Sequence, residues 1–455
     1  MSDLGPQSNC KVAVHSAIEA ALTTHLAADT ALCVAFSGGL DSSVLLDALR
    51  SQAAGRAIRA VHIDHGLHPD SASWSSTCES ICAALGIACK ALRVEVDLES
   101  GKGLEAAARA ARYAAFAAEL KPGEVLLTAH HQRDQLETML LQLFRGAGVH
   151  GLAAMPVYAE RDIRLLRPLL GVSAAAIAAY GEEAGLAWID DPSNNELGPD
   201  RNYLRHEVLP LLTRRWSAVE RSVERSARLC AEAAELVDEL AADDLRGMLD
   251  GNRLNLAALT RLTGPRQRNA LRAALRRCGL EVPSEKQLVG AIAVLTTARP
   301  DAQPEAAWPG TRIRRYRDAL WLFSEDRDPG ALPPNDAVYS WECGSVLDLG
   351  AVRGKLVAEP ATGRGIAASH CRNGLSVRFR RGGEKLRTSK NGATRQLKNL
   401  LQESGIVPWM RSHIPLLYSG EDLVAVANIW VNQDFAAADN EPGFAIAWRD
   451  HAAIR

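Results

Sequence analysis

A chain of 455 residues, 47% hydrophobic and 23% charged, has ordinary globular composition and room for about two to four domains, each with its own core. No run approaches the ~20 apolar residues of a bilayer span and no basic start precedes a short apolar core, so the expectation is a cytoplasmic protein with no membrane partner. The formal charge of −2 conceals a basic stretch, since residues 372–411 carry ten Lys or Arg against only Glu384 and Glu403.

From the N-terminus, ALCVAF passes into SSVLLDALRSQ, IRAVHID into SWSSTCESICAALG, CKALRVEV into GLEAAARAARYAAFAAEL, and EVLLTAH into QLETMLLQLFRGAG. Alternation of strand-like and helical runs predicts an α/β fold with a doubly wound parallel sheet, whose ligands bind at the carboxyl ends of the strands. The nine cysteines include no Cys-x-x-Cys; Cys78 and Cys82 lie on an amphipathic helix pattern, so buried thiols are favoured over a metal site or disulfides. After DDPSNNELGPDRN, the stretch from Tyr203 to about Leu280 reads as helical. Proline-punctuated 301–340 reads as linkers and irregular strands, and 345–455 as a small mixed α/β unit. The expected division is a catalytic domain over 1–215, a mainly helical domain over 216–330, a linker with irregular strands over 331–370 and a basic domain over 371–455.

The most informative string is SGGLDS, Ser37–Ser42, between a buried strand and a helix. Gly38 and Gly39 permit a tight turn and close backbone approach, Ser37 and Ser42 add hydroxyls, and the N–H groups of the helix beginning near Asp41, just past Leu40, face an anion. Asp41 would repel a phosphate unless a divalent cation joined them. The string lacks the Gly-Lys-Ser/Thr of a Walker loop and the pattern of a dinucleotide fold. A capped strand-to-helix turn is the bland alternative.

SGGLDS resembles the pyrophosphate loop of the PP-loop ATP-pyrophosphatases, which transfer AMP from ATP to a carbonyl oxygen. VHIDHGLHPDS (61–71), GLEAAARAARY with Arg109, Arg112 and Tyr113, TAHHQRDQLET (128–138), RGAGVHGLAAM (145–155), RPLL (167–170) and DDPSN…RNYLR (190–205) together resemble the tRNA(Ile)-lysidine synthase family. The resemblance implies a PP-loop fold, ATP as substrate, Mg²⁺ held by Asp41 and Asp134, and an active site lined by Asp41, His131, Asp134, Glu137 and Arg112. Asp134 and Glu137 stand three apart, so their carboxylates share a helix face. Arg133 departs from relatives, which often carry an acid there. Arg112 offers a rigid donor fork to a phosphate or base, or else a solvated surface charge. Arg145, Arg201 and Arg205 are candidates for RNA contact or for closing the nucleotide cleft.

Further along, TRLTGPRQRNALRAALRRCGL places Arg266, Arg268, Arg272, Arg276 and Arg277 on a helix anchored by Leu271 and Leu275, and VRFRRGGEKLR carries Arg380, Arg381 and Lys385. Clustered cations suit a nucleic-acid backbone, although Arg-rich helices are commonly solvated faces. Trp409 is either a stacking platform or core. Both regions resemble the family's substrate-binding and terminal domains. The resemblance implies ligation of free L-lysine to C2 of the wobble cytidine of a tRNA(Ile) with a CAU anticodon. Rival readings are a PP-loop tRNA thiolase, a small-molecule amidating synthetase and a non-catalytic tRNA-binding protein. A thiolase would want the missing Cys-x-x-Cys pair, an amidating synthetase an ammonia source, and a non-catalytic protein a decayed loop.

Overall fold

The computed structural model describes residues 6–52, 55–66, 70–97, 103–160, 162–299, 302–331, 336–372 and 374–454. Part of the quoted VHIDHGLHPDS, residues 67–69, lies outside them. The chain divides into two units, Met1–Leu236 and Val237–Arg455, with the division falling inside the helix Val219–Leu245. No described helix is long and apolar enough to cross a membrane.

The first unit runs α1 (Pro6–His25), β1 (Leu32–Ala35), α2 (Leu40–Gln52), β2 (Ile58–Asp64), α3 (Ser71–Ala84), β3 (Ala88–Arg93), α4 (Leu104–Glu119), β4 (Val125–Leu127), α5 (Gln132–Phe144), α6 (Val149–Leu152), β5 (Tyr158–Glu160), β6 (Arg164–Leu166) and α7 (Ala174–Glu183). The sheet order is β3-β2-β1-β4-β6-β5, parallel except for the antiparallel edge strand β5. The expected doubly wound α/β fold is therefore present.

Alternation along these short strands decides what covers each face. Leu32, Val34, Val125, Leu127 and Leu166 pack with α1, α2, α3 and α7 through Ile18, Leu45, Cys78, Cys82 and Tyr180. Cys33, Val61, Leu126 and Leu165 turn the other way, onto Phe116 of α4. Strands buried on both faces need apolar residues throughout, which is why LCVA and VLL show no polar alternation. The cysteines are free, as expected, and burial pushes the Cys78 thiol up to about 12.

The second unit corrects three expectations. Residues 305–324 are not irregular: Glu305–Trp308, Thr311–Tyr316 and Ala319–Ser324 form antiparallel strands, continued by Arg253–Asn255 and Leu249–Asp250 into a five-stranded sheet. The helical region is thus helices on a sheet. The run ALWLFS explains this, because Leu320 and Leu322 enter the core beneath the helices while Trp321 and Phe323 enter the C-terminal core, so the strand is buried on both sides. Nor is 331–370 a linker: Lys355–Thr362 pairs over its whole length with Pro442–Arg449, and Tyr339–Trp341 pairs with Leu375–Arg378. Its apolar residues are closed by partners almost 90 residues away, which local patterning does not reveal.

Candidate active site

β1 and β4 are neighbours in the sheet, and the chain leaves them in opposite lateral directions, toward β2 and β6. That is a topological switch point, and a crevice opens outside the carboxyl ends of the two strands. Ser37–Gly39 leaves β1 there and Thr128–His131 leaves β4.

Gly38 sits at φ +81°, and a Cβ on it would lie 2.7 Å from both Cys78 Sγ and Ile189 Cδ1. The Ile189 N–H donates to Gly38 O at 2.8 Å, so the 185–191 segment closes over the turn. Ser42 Oγ donates to Gly39 O at 2.9 Å and lies 3.1 Å from Ser37 Oγ, which accepts from the Gly39 N–H. The first helical N–H groups, at Leu40, Asp41 and Ser42, have no acceptor within α2 by helix geometry. The loop is therefore an oriented set of hydroxyl and amide donors at a helix N-terminus, suited to phosphate oxygens.

Across the crevice His131 caps α5 in a reciprocal box: its Nδ1 accepts from the Arg133 N–H at 3.2 Å, and its own N–H donates to Asp134 Oδ2 at 2.9 Å. With Nδ1 accepting, the proton resides on Nε2, which lies 3.6 Å from Asp41 Oδ2 and 3.5 Å from Asp134 Oδ2. Burial opposes charge on His131, but Asp41 and Asp134 outweigh it and raise its pKa above the ordinary value. Burial likewise opposes charge on Asp134, but the neighbouring histidines, Arg201 and the His131 N–H hold its carboxyl below the usual range. The expected trio of Asp41, His131 and Asp134 is brought together.

Glu137 is completely buried. Its Oε2 accepts from Arg201 Nε at 2.6 Å, and Arg205 donates from Nε to Oε1 at 2.8 Å and from Nη2 to Oε2 at 3.0 Å. Arg201 Nη2 also reaches Asp134 Oδ1 at 3.1 Å. Arg201 and Arg205 thus stand beside the crevice, on a one-turn helix Asp200–Tyr203 and a π-helical turn Leu204–Val208. π turns recur at functional sites because they re-aim side chains that a regular helix would misplace. Glu137 spends both oxygens holding two guanidinium groups at the crevice.

Arg112 Nε donates to His65 Nε2 at 3.2 Å, so His65 accepts as a neutral ring, and burial followed by the Arg112 charge lowers its pKa. Arg145 caps the far end of α5 and is exposed. Arg133 pairs with Glu220 at 3.2 Å, turned away from the role that an acid would have at that position.

A Mg²⁺ ion typically takes one or two carboxylates, with water and substrate phosphates completing its octahedron. Asp41, whose side chain is 46% exposed beside the loop, fits that requirement. Asp134 fits it less freely, because one oxygen accepts from the His131 N–H and the other from Arg201. Among the described residues no group of three or more His, Cys, Asp or Glu is poised to hold a metal alone.

In the second unit Arg268 and Arg272 both pair with Glu285, Arg266 with Asp244, and Arg276 with Asp238 at 3.6 Å, so this helix is largely neutralised by neighbouring acids. Arg380 lies 3.8 Å from Glu384. Arg381 and Lys385 are exposed; Arg381 Nη2 donates to Asp336 O at 3.1 Å and its Nε lies 3.8 Å from the Asp336 carboxylate. Trp409 is core, edge-on to Tyr316, Trp321 and Phe323, and offers no stacking face.

Residue-level reading of the sequence passed over Ile189, His130 and Arg167. Thr128 Oγ1 lies 2.8 Å from His130 Nδ1, and burial, reinforced by nearby guanidinium groups against the opposing Asp134, keeps His130 neutral. Arg167 was visible only as the head of RPLL, immediately after a strand.

Family models match three parts of the chain: a PP-loop domain over residues 11–212, a TilS substrate binding domain over 254–321 and a TilS substrate C-terminal domain over 375–448. A tRNA(Ile)-lysidine synthase from Coxiella burnetii is 41% identical over 426 residues, covering 92% of this chain and 94% of that one. One from Alkalilimnicola ehrlichii is 43% identical, with coverages of 92% and 93%, and one from Escherichia coli O157:H7 is 38% identical, with coverages of 95% and 99%.

Proposed function

The chain belongs to the tRNA(Ile)-lysidine synthase family, and on that premise we propose that it joins free L-lysine to C2 of the wobble cytidine of a tRNA(Ile) with a CAU anticodon, at the expense of ATP. The observation that carries this reading is the meeting of the Ser37–Ser42 loop with Asp41 and the His131–Asp134 cap at one switch point.

In the first step the C2 oxygen of cytidine attacks the α-phosphorus of ATP and pyrophosphate leaves with the electrons of the broken P–O bond. The loop N–H groups and the Ser37 and Ser42 hydroxyls would bind the departing pyrophosphate, and the Arg201 and Arg205 guanidinium groups, fixed by Glu137, would stabilise charge developing on the phosphates. Asp41 would hold a Mg²⁺ ion, which would supply further neutralisation of phosphate charge. In the second step the ε-amine of lysine adds to C2, loses a proton and expels AMP. His131, with its proton on Nε2 between two carboxylates, would orient Asp41 and Asp134 rather than accept that proton.

Support for an RNA substrate comes from the exposed cations Arg381 and Lys385, which suit contacts to nucleic-acid phosphates. The test is incorporation of radiolabelled lysine, with pyrophosphate release, into a CAU transcript and into the same transcript with U at the wobble position. Incorporation confined to the C-bearing RNA, and abolished by Asp41→Ala, is expected. Pyrophosphate release without incorporation would transfer the adenylating core to another nucleophile.

A further inference from the structure

The helical run that turns Arg201 and Arg205 onto Glu137 continues through the helix Leu209–Arg215 to Trp216. It leaves Tyr203, Leu211 and Trp216 between 51% and 59% exposed. A single apolar side chain on a surface needs no explanation, but here the exposed rings alternate with exposed cations. Arg214 and Arg215 flank Trp216, and the helix Val219–Leu245 adds Arg221 and Arg225, one turn apart and both exposed. Among the described residues no carboxylate forms an ion pair with any of these four arginines. Glu220, next to Arg221, is taken by Arg133 at 3.2 Å. The arginines of the helix Gly264–Arg277 are, by contrast, held by acids. The basic surface also has an end: Arg228 pairs with Glu232, and from Leu229 to Leu245 there are six acids and no Lys or Arg.

Trp216 is held as a platform. Its N–H donates to Leu212 O at 2.7 Å and its carbonyl accepts from the Val219 N–H at 3.0 Å, so the backbone is fixed between two helices while the indole stays in solvent. The Arg215 guanidinium lies 5.6 Å from the ring centre. Trp216 stands four residues before Glu220, whose partner Arg133 immediately precedes Asp134, so the platform is a short step of chain from the crevice. All of these residues belong to the first unit.

An exposed aromatic ring among unpaired guanidinium groups matches single-stranded nucleic acid, whose bases stack and whose phosphates take the cations. A duplex stem would use the cations and leave the ring without a base face. We propose that Trp216, together with Arg214, Arg215, Arg221 and Arg225, receives the unpaired anticodon-loop nucleotides next to the reacting cytidine. The ring stacks on one base, and the guanidinium groups contact the adjoining phosphates. The inference rests on the tRNA reading above and supplies the surface that holds the loop while one of its bases enters the crevice.

The experiment measures binding of the full chain to a CAU transcript by fluorescence anisotropy over a range of salt, without ATP or lysine. Trp216→Ala is expected to weaken binding about 10-fold at an unchanged salt slope, because a stacked base is lost and no charge, and Trp216→Phe should recover most of the loss. The double variant Arg221→Gln with Arg225→Gln should lower the slope by about 1.4, the worth of two single-strand phosphate contacts. Transcripts with one abasic nucleotide at each anticodon-loop position locate the stack. At one position Trp216→Ala should cost nothing further, while at the others the 10-fold loss persists. If Trp216→Ala lowers the thermal midpoint, Trp216→Leu, apolar but without a ring, takes its place. Full-strength binding by the ringless variant, or an equal loss on every abasic transcript, would overturn the proposal. So would an arginine double variant with the wild-type slope. A wild type that binds no transcript would sink the tRNA reading and this inference together; lysine incorporation confined to the C-bearing transcript, with Trp216→Ala binding as the wild type does, would sink this inference alone.

Discussion

Arg205 meets Glu137 edge-on, its Nε 2.8 Å from Oε1 and its Nη2 3.0 Å from Oε2, around a carboxylate that exposes no surface. With Arg201 on the same carboxylate, one buried anion positions two cations. Removing the anion leaves both uncompensated, which is far more damaging than losing a surface pair. Glu137→Gln is expected to destabilise the first unit by about 3 kcal/mol and to abolish pyrophosphate release. Urea unfolding and a pyrophosphate assay check the two halves; a stable, active variant would refute the clamp.

Gly38 is the loop position where replacement should cost most. Its φ of +81° disfavours an L side chain, and any Cβ would press on Cys78 Sγ and Ile189 Cδ1. Gly38→Ala should cost about 1–3 kcal/mol in stability and raise the KM for ATP at least 10-fold by shifting the amide donors. Gly55, also at positive φ but with open space around it, supplies the control: Gly55→Ala should leave the KM unchanged.

Acid stability should report the Arg59–Glu124 pair. Arg59 donates from Nε and Nη2 to the two Glu124 oxygens at 2.7 and 2.6 Å, and this bonding, against the opposing effect of burial, lowers the Glu124 pKa. A depressed carboxyl pKa contributes stability that is complete above the ordinary glutamate value near 4.5 and is lost as pH falls through the folded value. Unfolding followed from pH 6 down to pH 3 should therefore show a steeper decline in the wild type than in Arg59→Met. Parallel declines would mean that the pair is not what titrates.

Salt dependence should separate the basic clusters. Each phosphate contact contributes about 0.9 to the slope of log Kobs against log salt on a duplex. Lys385→Ala and Arg381→Ala should each reduce the slope for tRNA by up to about 1. Arg268→Ala should change it little, because Glu285 already neutralises Arg268 together with Arg272. A larger effect at Arg268 would show that Glu285 releases it to RNA.

Local pattern in the chain was enough to determine the α/β unit, the Ser37–Ser42 loop and the proximity of Asp134 and Glu137, since strand alternation, a glycine turn and helix spacing act over a few residues. Tertiary structure alone decided that Arg201 and Arg205 close on Glu137, that Ile189 covers Gly38, that Glu285 neutralises Arg268 and Arg272, and that Trp409 is core. It also turned the irregular strands expected within 305–324 and 355–362 into sheet strands, through pairs such as Lys355 with Arg449. Each of these depends on partners outside the sequence window in which periodicity and propensity operate, and buried charge in particular takes its meaning from whichever distant side chain, or substrate, shares its low-dielectric surroundings.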